Sequence, residues 1–266
     1  MWGAIIGDLA GSIYEYSQLK KVSAIHVQDL ITEDSFYTDD TILTIAIYDA
    51  IKSGGSYEKS LRAFGQRYLS YIPDTKCKEH FSSVFGGRFI KWLDGKVDDK
   101  SIGNGAMMRI SGVGNLFNTE KEVVENAMLA TKPSHNTIEA IDCARTVALV
   151  IFYARMGYSK NRIREKLDLG TIEYKPFEHF NKTCYETLNN CLYAFFDSVN
   201  FEDAVKKVIS YGGDTDTNGA IVGAMAEAFY GVPEHLINKA RKKIPIFFSY
   251  ALDDAYTRKT RGLSIV

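Results

Sequence analysis

Apolar side chains recur every three or four residues along most of the chain, the spacing that places them on one face of a helix. The segments with this spacing are residues 3–16, 42–51, 57–72, 88–93, 120–131, 139–156, 201–210 and 220–226, with two more between residues 158 and 200. A weak candidate strand lies at residues 22–27. The pattern predicts an all-α fold, a single-domain orthogonal helical bundle over residues 1–266, with a surface helix at 234–243 and the last twenty residues packed outside.

An acidic turn between glycines precedes one of these helices. Residues 212–219 are Gly-Gly-Asp-Thr-Asp-Thr-Asn-Gly, and an apolar run follows at once. Because glycine permits left-handed backbone angles, this turn can bring Asp214, Asp216 and Thr217 together at a helix N-terminus. Carboxylate and hydroxyl oxygens are hard ligands that suit Mg²⁺, Mn²⁺ or Ca²⁺. Helix capping is the alternative, but one cap accounts for only one aspartate.

The same arrangement occurs earlier in the chain. Thr38, Asp39, Asp40 and Thr41 lead directly into the apolar helix at residues 42–51. Thr38 or Asp39 can serve as the N-cap of that helix. Two adjacent carboxylates before an apolar helix repel each other unless a cation lies between them. Capping alone therefore explains the repeated arrangement less well than a metal site does.

The first helix carries small residues at a fixed spacing. Gly3, Gly7 and Gly11 recur every four positions, and since glycine disfavours helices by up to about 1 kcal/mol relative to alanine, they indicate close approach of a second helix. Asp8 and Glu15 are seven positions apart and share a face. They are either surface acids or further members of the acidic site.

Composition restricts the class of protein. The chain has 266 residues, a formal net charge of -1, 45% hydrophobic residues and 24% charged residues, values of an ordinary globular protein. This charge gives no general attraction to nucleic acid or to anionic membranes. The four cysteines form no CxxC pair and are expected to be reduced thiols. With no signal peptide and no run of 18 apolar residues, we expect a cytoplasmic protein. Nothing in the sequence indicates an obligate partner, so we expect a monomer.

A third loop, at residues 101–109, is rich in small residues. Gly103, Asn104 and Gly105 precede an apolar segment, so their N–H groups can form a nest for a phosphate. The spacing is not that of a P-loop, and a plain turn is the alternative. His135 follows Ser134 at the start of the helix at 139–156, where it either faces a site or has a structural role.

Taken together, these motifs resemble those of the ADP-ribosylglycohydrolase family. They occur in one order along the chain: Gly3 to Gly11 with Glu15, Thr38 to Thr41, Gly103 to Ala106 with Arg109, Ser134-His135 with Glu139, and Gly212 to Thr217. The resemblance extends from the first helix to about Gly231. One departure is the Lys-Pro-Ser sequence before His135, where the family commonly has a threonine.

The resemblance implies a metal site and a set of residues that surround the bound ligand. It implies two Mg²⁺ ions, with Mn²⁺ as an alternative, in an all-helical fold. The implied metal ligands are Thr38, Asp39, Asp40, Asp214, Asp216 and Thr217. Glu15 matches an acidic residue that assists at the metal site, and Asp39 or Asp40 is the candidate general base. Residues Gly103, Asn104, Gly105 and Ala106 match the segment around the diphosphate, and His135 matches a histidine near the ligand.

The implied activity is hydrolysis of the glycosidic bond between ADP-ribose and a modified acceptor, which releases ADP-ribose. Arginine on a protein is the preferred acceptor because the chain resembles the short dinitrogenase-type members. Serine and other O- or N-linked acceptors stay open. A non-catalytic ADP-ribose-binding protein, a Ca²⁺-stabilised helical domain and an immunity protein that also plugs its toxin are the other hypotheses.

Overall fold

The computed structural model describes residues 1–18, 23–75 and 82–261 of the chain. Every regular element in these ranges is a helix, apart from two isolated bridges, Lys100 with His135 and Gly103 with Thr183. The helices are α1 (Trp2–Gln18), α2 (Asp39–Ser53), α3 (Tyr57–Arg67), α4 (Gly87–Leu93), α5 (Gly105–Met108), α6 (Ser111–Leu116), α7 (Glu120–Thr131), α8 (Ile138–Arg155), α9 (Lys160–Lys166), α10 (Cys184–Asp197), α11 (Phe201–Ser210), α12 (Thr215–Tyr230), α13 (Glu234–Arg241) and α14 (Ile246–Arg261). The predicted all-α class is confirmed.

Helices α1 and α12 pack against each other at the centre of the core. Apolar side chains of both helices, such as Ile5 and Ile221, are fully buried. The glycines of α1 face the backbone of α12: a β-carbon on Gly3 would lie 2.1 Å from the Gly223 carbonyl oxygen. The predicted close approach of a second helix is therefore present, and α12 is that helix.

The beginning of α1 is held by a buried ion pair. The Met1 α-amino nitrogen lies 2.7 Å from Oε1 of Glu227 on α12, and both groups are almost fully buried. The Gly3 N–H donates to Oε2 of the same carboxylate at 2.8 Å. One side chain thus satisfies two donors at the start of α1, where helices have unpaired N–H groups.

Two predicted elements differ from the structure, one helix end and one strand. Helix α3 ends at Arg67, not at residue 72, because Tyr68 and Tyr71 turn back to pack on Tyr37 and Phe248. The candidate strand at 22–27 is absent over residues 23–27, where one backbone bond joins the Ile25 N–H to the Ser210 carbonyl at 3.1 Å. Residue 22 lies outside the described residues.

The helix α8 begins after the N-cap Thr137, whose side chain accepts a hydrogen bond from the Ala140 N–H. The last twenty residues were predicted to pack outside the bundle, but helix α14 within them buries one face. Its apolar residues Phe248, Leu252 and Ala255, at helical spacing, lie in the core. No helix among the described residues has the length and apolarity needed to cross a bilayer.

Candidate functional site

The described residues form a pocket of about 680 Å³ between the ends of several helices. Its lining includes buried or half-buried carboxylates: Glu15, Asp39, Asp40, Asp214 and Asp216. The exposed cations Arg88, Lys100 and Lys182 and residues of the 103–105 loop also line it. The acidic segments that are far apart in sequence therefore meet in one cavity.

The acidic turn before α12 has the backbone that the glycines predicted. Gly212 and Gly213 both have φ +76°, which favours glycine. Asp214 occupies the N-cap position of α12, but its side chain makes no capping hydrogen bond. Its Oδ2 instead accepts a bond from Nδ2 of Asn104 at 2.7 Å. Capping therefore does not account for Asp214, which is one of the residues that line the pocket.

The second acidic segment does begin with a cap. Thr38 is the N-cap of α2, and its hydroxyl accepts from the Asp40 N–H at 3.3 Å. The Asp40 Oδ2 atom lies 3.4 Å from the Thr217 hydroxyl of α12, so the two acidic segments are in contact. The other oxygen, Oδ1 of Asp40, is buried and has no hydrogen-bond partner among the described residues.

Asp8 fixes this segment from α1. Its carboxylate accepts four bonds: from the N–H and hydroxyl of Thr38 at 3.0 and 2.9 Å, and from the N–H and hydroxyl of Thr41 at 3.1 and 2.5 Å. Asp8 is fully buried, which excludes a surface role. The sequence placed Asp8 on the face of Glu15, yet only the structure shows that it orients the Thr38–Thr41 segment.

Three carboxylates can meet at one point. Oxygens of Glu15, Asp214 and Asp216 all lie within 4.8 Å of one another. Burial raises the pKa of Glu15, Asp39, Asp40 and Asp214 well above the ordinary values, and the nearby charge of Asp216 raises each pKa further. Burial and the Asp216 charge also raise the pKa of Asp8 to about 7. The site thus crowds carboxyl groups together where burial and mutual repulsion disfavour their charged forms.

A buried amide network supports Asp214. Asn181 accepts the Asp214 N–H at 2.8 Å and donates to Asn218 at 3.0 Å and to Thr187 at 2.8 Å. Asn104 also donates to Thr187, at 3.3 Å. Asn181 and Thr187 were missed in the sequence because no motif contains them. Asn104 was predicted to bind substrate, and its side chain is directed at Asp214.

The loop at residues 103–106 uses most of its N–H groups within the protein. The N–H groups of Gly103, Asn104 and Ala106 donate to Ser101 Oγ, the Lys182 carbonyl and the Gly103 carbonyl, at 3.1, 2.9 and 3.3 Å. No such bond from the Gly105 N–H occurs among the described residues. The predicted diphosphate nest therefore offers fewer free donors than its sequence indicates.

His135 lies beside this loop. A β-carbon built on Gly103 would be 3.5 Å from Nε2 of His135, and one built on Gly105 would be 3.7 Å away. The ring is buried, and burial together with the charges of Arg109 and Arg88 lowers the His135 pKa well below its usual value. His135 is therefore a neutral imidazole at the pocket wall.

The donor set fits divalent cations. The predicted ligands supply carboxylate and hydroxyl oxygens only, as Mg²⁺ and Mn²⁺ prefer. The unpartnered Oδ1 of Asp40 is a buried acceptor without a donor, and such a group is costly unless something binds it. A bound cation would also relieve the mutual repulsion among the carboxylates, because a cation between them favours their charged forms.

Fold and site together define an all-helical protein with a buried acidic pocket suited to oxygen-coordinated cations. The family model for ADP-ribosylglycohydrolase matches residues 1–259. The chain therefore belongs to the ADP-ribosylglycohydrolase family and is a hydrolase of glycosidic bonds of ADP-ribose.

Individual relatives are distant. The chain is 23% identical to an ADP-ribosylarginine hydrolase of Pseudomonas putida, with 86% of this chain and 69% of that protein aligned. It is 22% identical to the ADP-ribosylhydrolase ARH3 of Mus musculus, with 87% and 83% aligned. A solved structure of an ADP-ribosylglycohydrolase-related protein complex superposes with a TM-score of 0.72 at 19% identity, covering 97% of each chain. This last similarity supports the fold alone.

Proposed function

We propose that this protein hydrolyses the bond between C1 of an ADP-ribosyl ribose and an arginine side chain of a protein, and releases ADP-ribose. One observation carries the proposal: the segments around Asp39–Asp40 and Asp214–Asp216 meet in a single pocket beside the Gly103–Gly105 loop. The name of the Pseudomonas putida relative, an ADP-ribosylarginine hydrolase, supports arginine as the acceptor.

The residues that would hold two Mg²⁺ or Mn²⁺ ions are those of the two acidic segments, namely Thr38, Asp39, Asp40, Asp214, Asp216 and Thr217. When bound, such ions bind ribose hydroxyls and lower the pKa of a water molecule. The contact between Asp40 and Thr217 supports a shared site. The number and identity of the ions are part of the proposal.

The side chains around these ligands take the remaining tasks. Asp39 or Asp40 accepts the proton of the attacking water as general base. Glu15, whose carboxylate adjoins Asp214 and Asp216, acts as an acid or as an additional ligand. The expected transition state resembles an oxocarbenium ion, whose positive charge the surrounding carboxylates stabilise.

The second candidate acceptor is serine, and the test distinguishes it. We would measure release of free ADP-ribose from arginine-modified and from serine-modified protein, each with Mg²⁺ and with EDTA. Mg²⁺-dependent release from arginine alone is the expected result. Release from serine-modified protein alone would mean that serine, and not arginine, is the acceptor. Tight ADP-ribose binding without release from either substrate would favour a non-catalytic binding protein.

Variants of one ligand from each segment complete this test. Asp40→Ala and Asp214→Ala should each lower turnover at least about a hundredfold, because one lost carboxylate leaves an ion underligated. Asp94→Asn is the matched control, since Asp94 is exposed and pairs with Lys96. Full activity of both ligand variants would refute the assigned ligand set.

A further inference from the structure

Three segments that are distant in sequence meet beside the pocket. We call them the rim, which consists of residues 100–102, 137–139 and 182–185. The Thr137 hydroxyl donates to the Ser101 carbonyl at 3.2 Å, which joins the first two segments. The Cys184 N–H donates to the Ile102 carbonyl at 2.9 Å, which joins the first and the third. The rim is therefore one connected surface.

The rim exposes three large apolar side chains. Ile138 is 80% exposed, Tyr185 58% and Ile102 45%, although isoleucine is among the residue types most often buried. Tyr185 lies near Ile138, because its N–H donates to Oε1 of the adjacent Glu139 at 3.1 Å. Exposed apolar side chains that are grouped together in this way indicate a surface that binds another molecule.

Two cations belong to the same rim. Lys100 and Lys182 are exposed and line the pocket, and neither ammonium group forms an ion pair within the described part of the chain. Main-chain contacts hold the backbone of both: Lys100 forms an isolated bridge with His135, and the Lys182 carbonyl accepts the Asn104 N–H at 2.9 Å. The rim thus presents positive charge together with apolar surface, which suits a partner that is apolar and acidic.

The size of the pocket determines what lies on the rim. A cavity of about 680 Å³ has the volume of a small-molecule site, so it has room for ADP-ribose but not for a protein to which the ADP-ribose is attached. That protein therefore lies against the surface around the mouth. The rim belongs to this surface, since Lys100, Ile102 and Lys182 line the pocket. Ile138 and Tyr185 lie outside the pocket lining and extend the rim beyond the mouth.

We propose that the rim binds the protein segment that carries the modified arginine, and that it selects segments with an apolar and an acidic side chain close to that arginine. This inference rests on the proposed function, because it concerns the acceptor protein of that reaction. Ile138 and Tyr185 contact the apolar side chain of the segment. Lys100 and Lys182 attract its carboxylates. The rim adds affinity for the acceptor protein and takes no part in bond cleavage.

Short peptides that each carry one ADP-ribosylarginine test this selection. The modified arginine is flanked by leucine and glutamate, by serine and glutamate, or by leucine and lysine, and free ADP-ribosylarginine is the reference compound. Release of ADP-ribose gives kcat/KM for each substrate. We expect the value for the leucine–glutamate peptide to exceed those for the other two peptides by roughly threefold to tenfold. Added salt should reduce its advantage over the leucine–lysine peptide. Equal kcat/KM values for all the peptides would overturn the proposal.

Ile138→Ser and Tyr185→Ser test the apolar residues of the rim. Each variant should lower kcat/KM for the leucine–glutamate peptide by roughly threefold to tenfold, mainly through a higher KM. Each should leave kcat/KM for free ADP-ribosylarginine unchanged. The matched controls are Ile246→Ser and Tyr250→Ser on α14, which replace side chains of similar exposure outside the pocket lining. An equal loss with free ADP-ribosylarginine, or no loss with the peptide, would refute the rim contact.

The other possible occupant of the rim is a second copy of this chain, which size-exclusion chromatography detects. If Ile138→Ser converts a dimer into a monomer and leaves the peptide preference unchanged, the rim joins two copies and the proposal fails. Failure of the proposed function gives a different result, since no arginine compound is then hydrolysed. Calorimetry with the same peptides still ranks them by Kd in that case, and equal Kd values or no binding would refute the rim selection without reference to catalysis.

Discussion

A β-carbon built on Gly7 would lie 1.9 Å from the carbonyl oxygen of Gly219. Helices α1 and α12 are therefore closer than any side chain larger than hydrogen permits at this point. One turn along, the Thr215 hydroxyl donates to the Gly11 carbonyl at 2.8 Å. This contact places Asp8 and Glu15 of α1 beside the acids of α12, so the helix packing assembles the site.

Gly7→Ala should lower the free energy of unfolding by about 2 kcal/mol or more, because the methyl group must push two backbones apart. Gly112→Ala is the matched control, since its nearest neighbours are flexible side chains at 3.4 Å. It should change stability by less than about 1 kcal/mol, as alanine favours helices. Urea unfolding measures both variants, and equal midpoints would contradict the close packing.

Asp8→Asn tests the support of the Thr38–Thr41 segment. An asparagine has one acceptor oxygen and would direct an NH₂ group at donors that now face a carboxylate. We expect Mg²⁺ affinity and turnover to fall by about tenfold to a hundredfold, the usual effect of losing a residue that orients metal ligands. Calorimetric Mg²⁺ titration and the release assay measure the two quantities.

Asp94→Asn is again the control, because it removes an exposed carboxylate of the same type. If Asp8→Asn binds Mg²⁺ as well as the control does, Asp8 does not orient the ligands and its burial needs another explanation.

Asn181→Ala tests the amide network behind Asp214. The change removes the acceptor of the Asp214 N–H and the amide donor to Asn218 Oδ1. It also removes one of the two amide donors to the Thr187 hydroxyl, the other being Asn104. We expect Mg²⁺ affinity to fall by about tenfold or more, with some loss of stability from the unpaired buried groups. Asn189→Ala, in the outer part of α10, should leave Mg²⁺ affinity unchanged. Equal Mg²⁺ affinity in the two variants would show that the network does not position Asp214.

Local features of the site could be predicted because neighbouring residues determine them. The Thr38 cap and the left-handed glycines at 212 and 213 follow from short motifs, and the spacing of Gly3, Gly7 and Gly11 indicated a helix contact. Asn181 could not be found in this way, because its partners at positions 214 and 218 are distant in sequence. Those bonds exist only once α10 and α12 have packed.

The burial of Arg109 is a tertiary effect of the same kind. Arginine is rarely buried without a carboxylate partner, so the residue type alone does not indicate a buried position. In the structure it is 1% exposed, and burial lowers its pKa to about 10. Tertiary contacts also determine where α3 ends. Tyr68 and Tyr71, just after this helix, pack on Phe248 and Tyr37, which are distant in sequence.

The acidic cluster should make the metal-free protein less stable as pH rises. The pKa values of Asp8, Glu15, Asp39, Asp40 and Asp214 are raised in the folded state, so the folded protein binds more protons than the unfolded chain. Stability then falls with increasing pH above about 4, the ordinary carboxyl pKa. For Asp8 this loss is complete once pH passes its folded pKa of about 7.

Thermal unfolding in EDTA should therefore occur at a lower temperature at pH 8 than at pH 5.5. Saturating Mg²⁺ should raise the melting temperature at pH 8 by about 5 °C or more, because binding at a hundredfold over Kd contributes about 2.7 kcal/mol. The Asp40→Ala variant lacks one of the repelling carboxylates. Without metal, its melting temperature at pH 8 should therefore be higher than that of the unsubstituted protein, and Mg²⁺ should raise it by less. A melting temperature that rises with pH in EDTA, or an undiminished Mg²⁺ effect in Asp40→Ala, would contradict a cation site formed by these carboxylates.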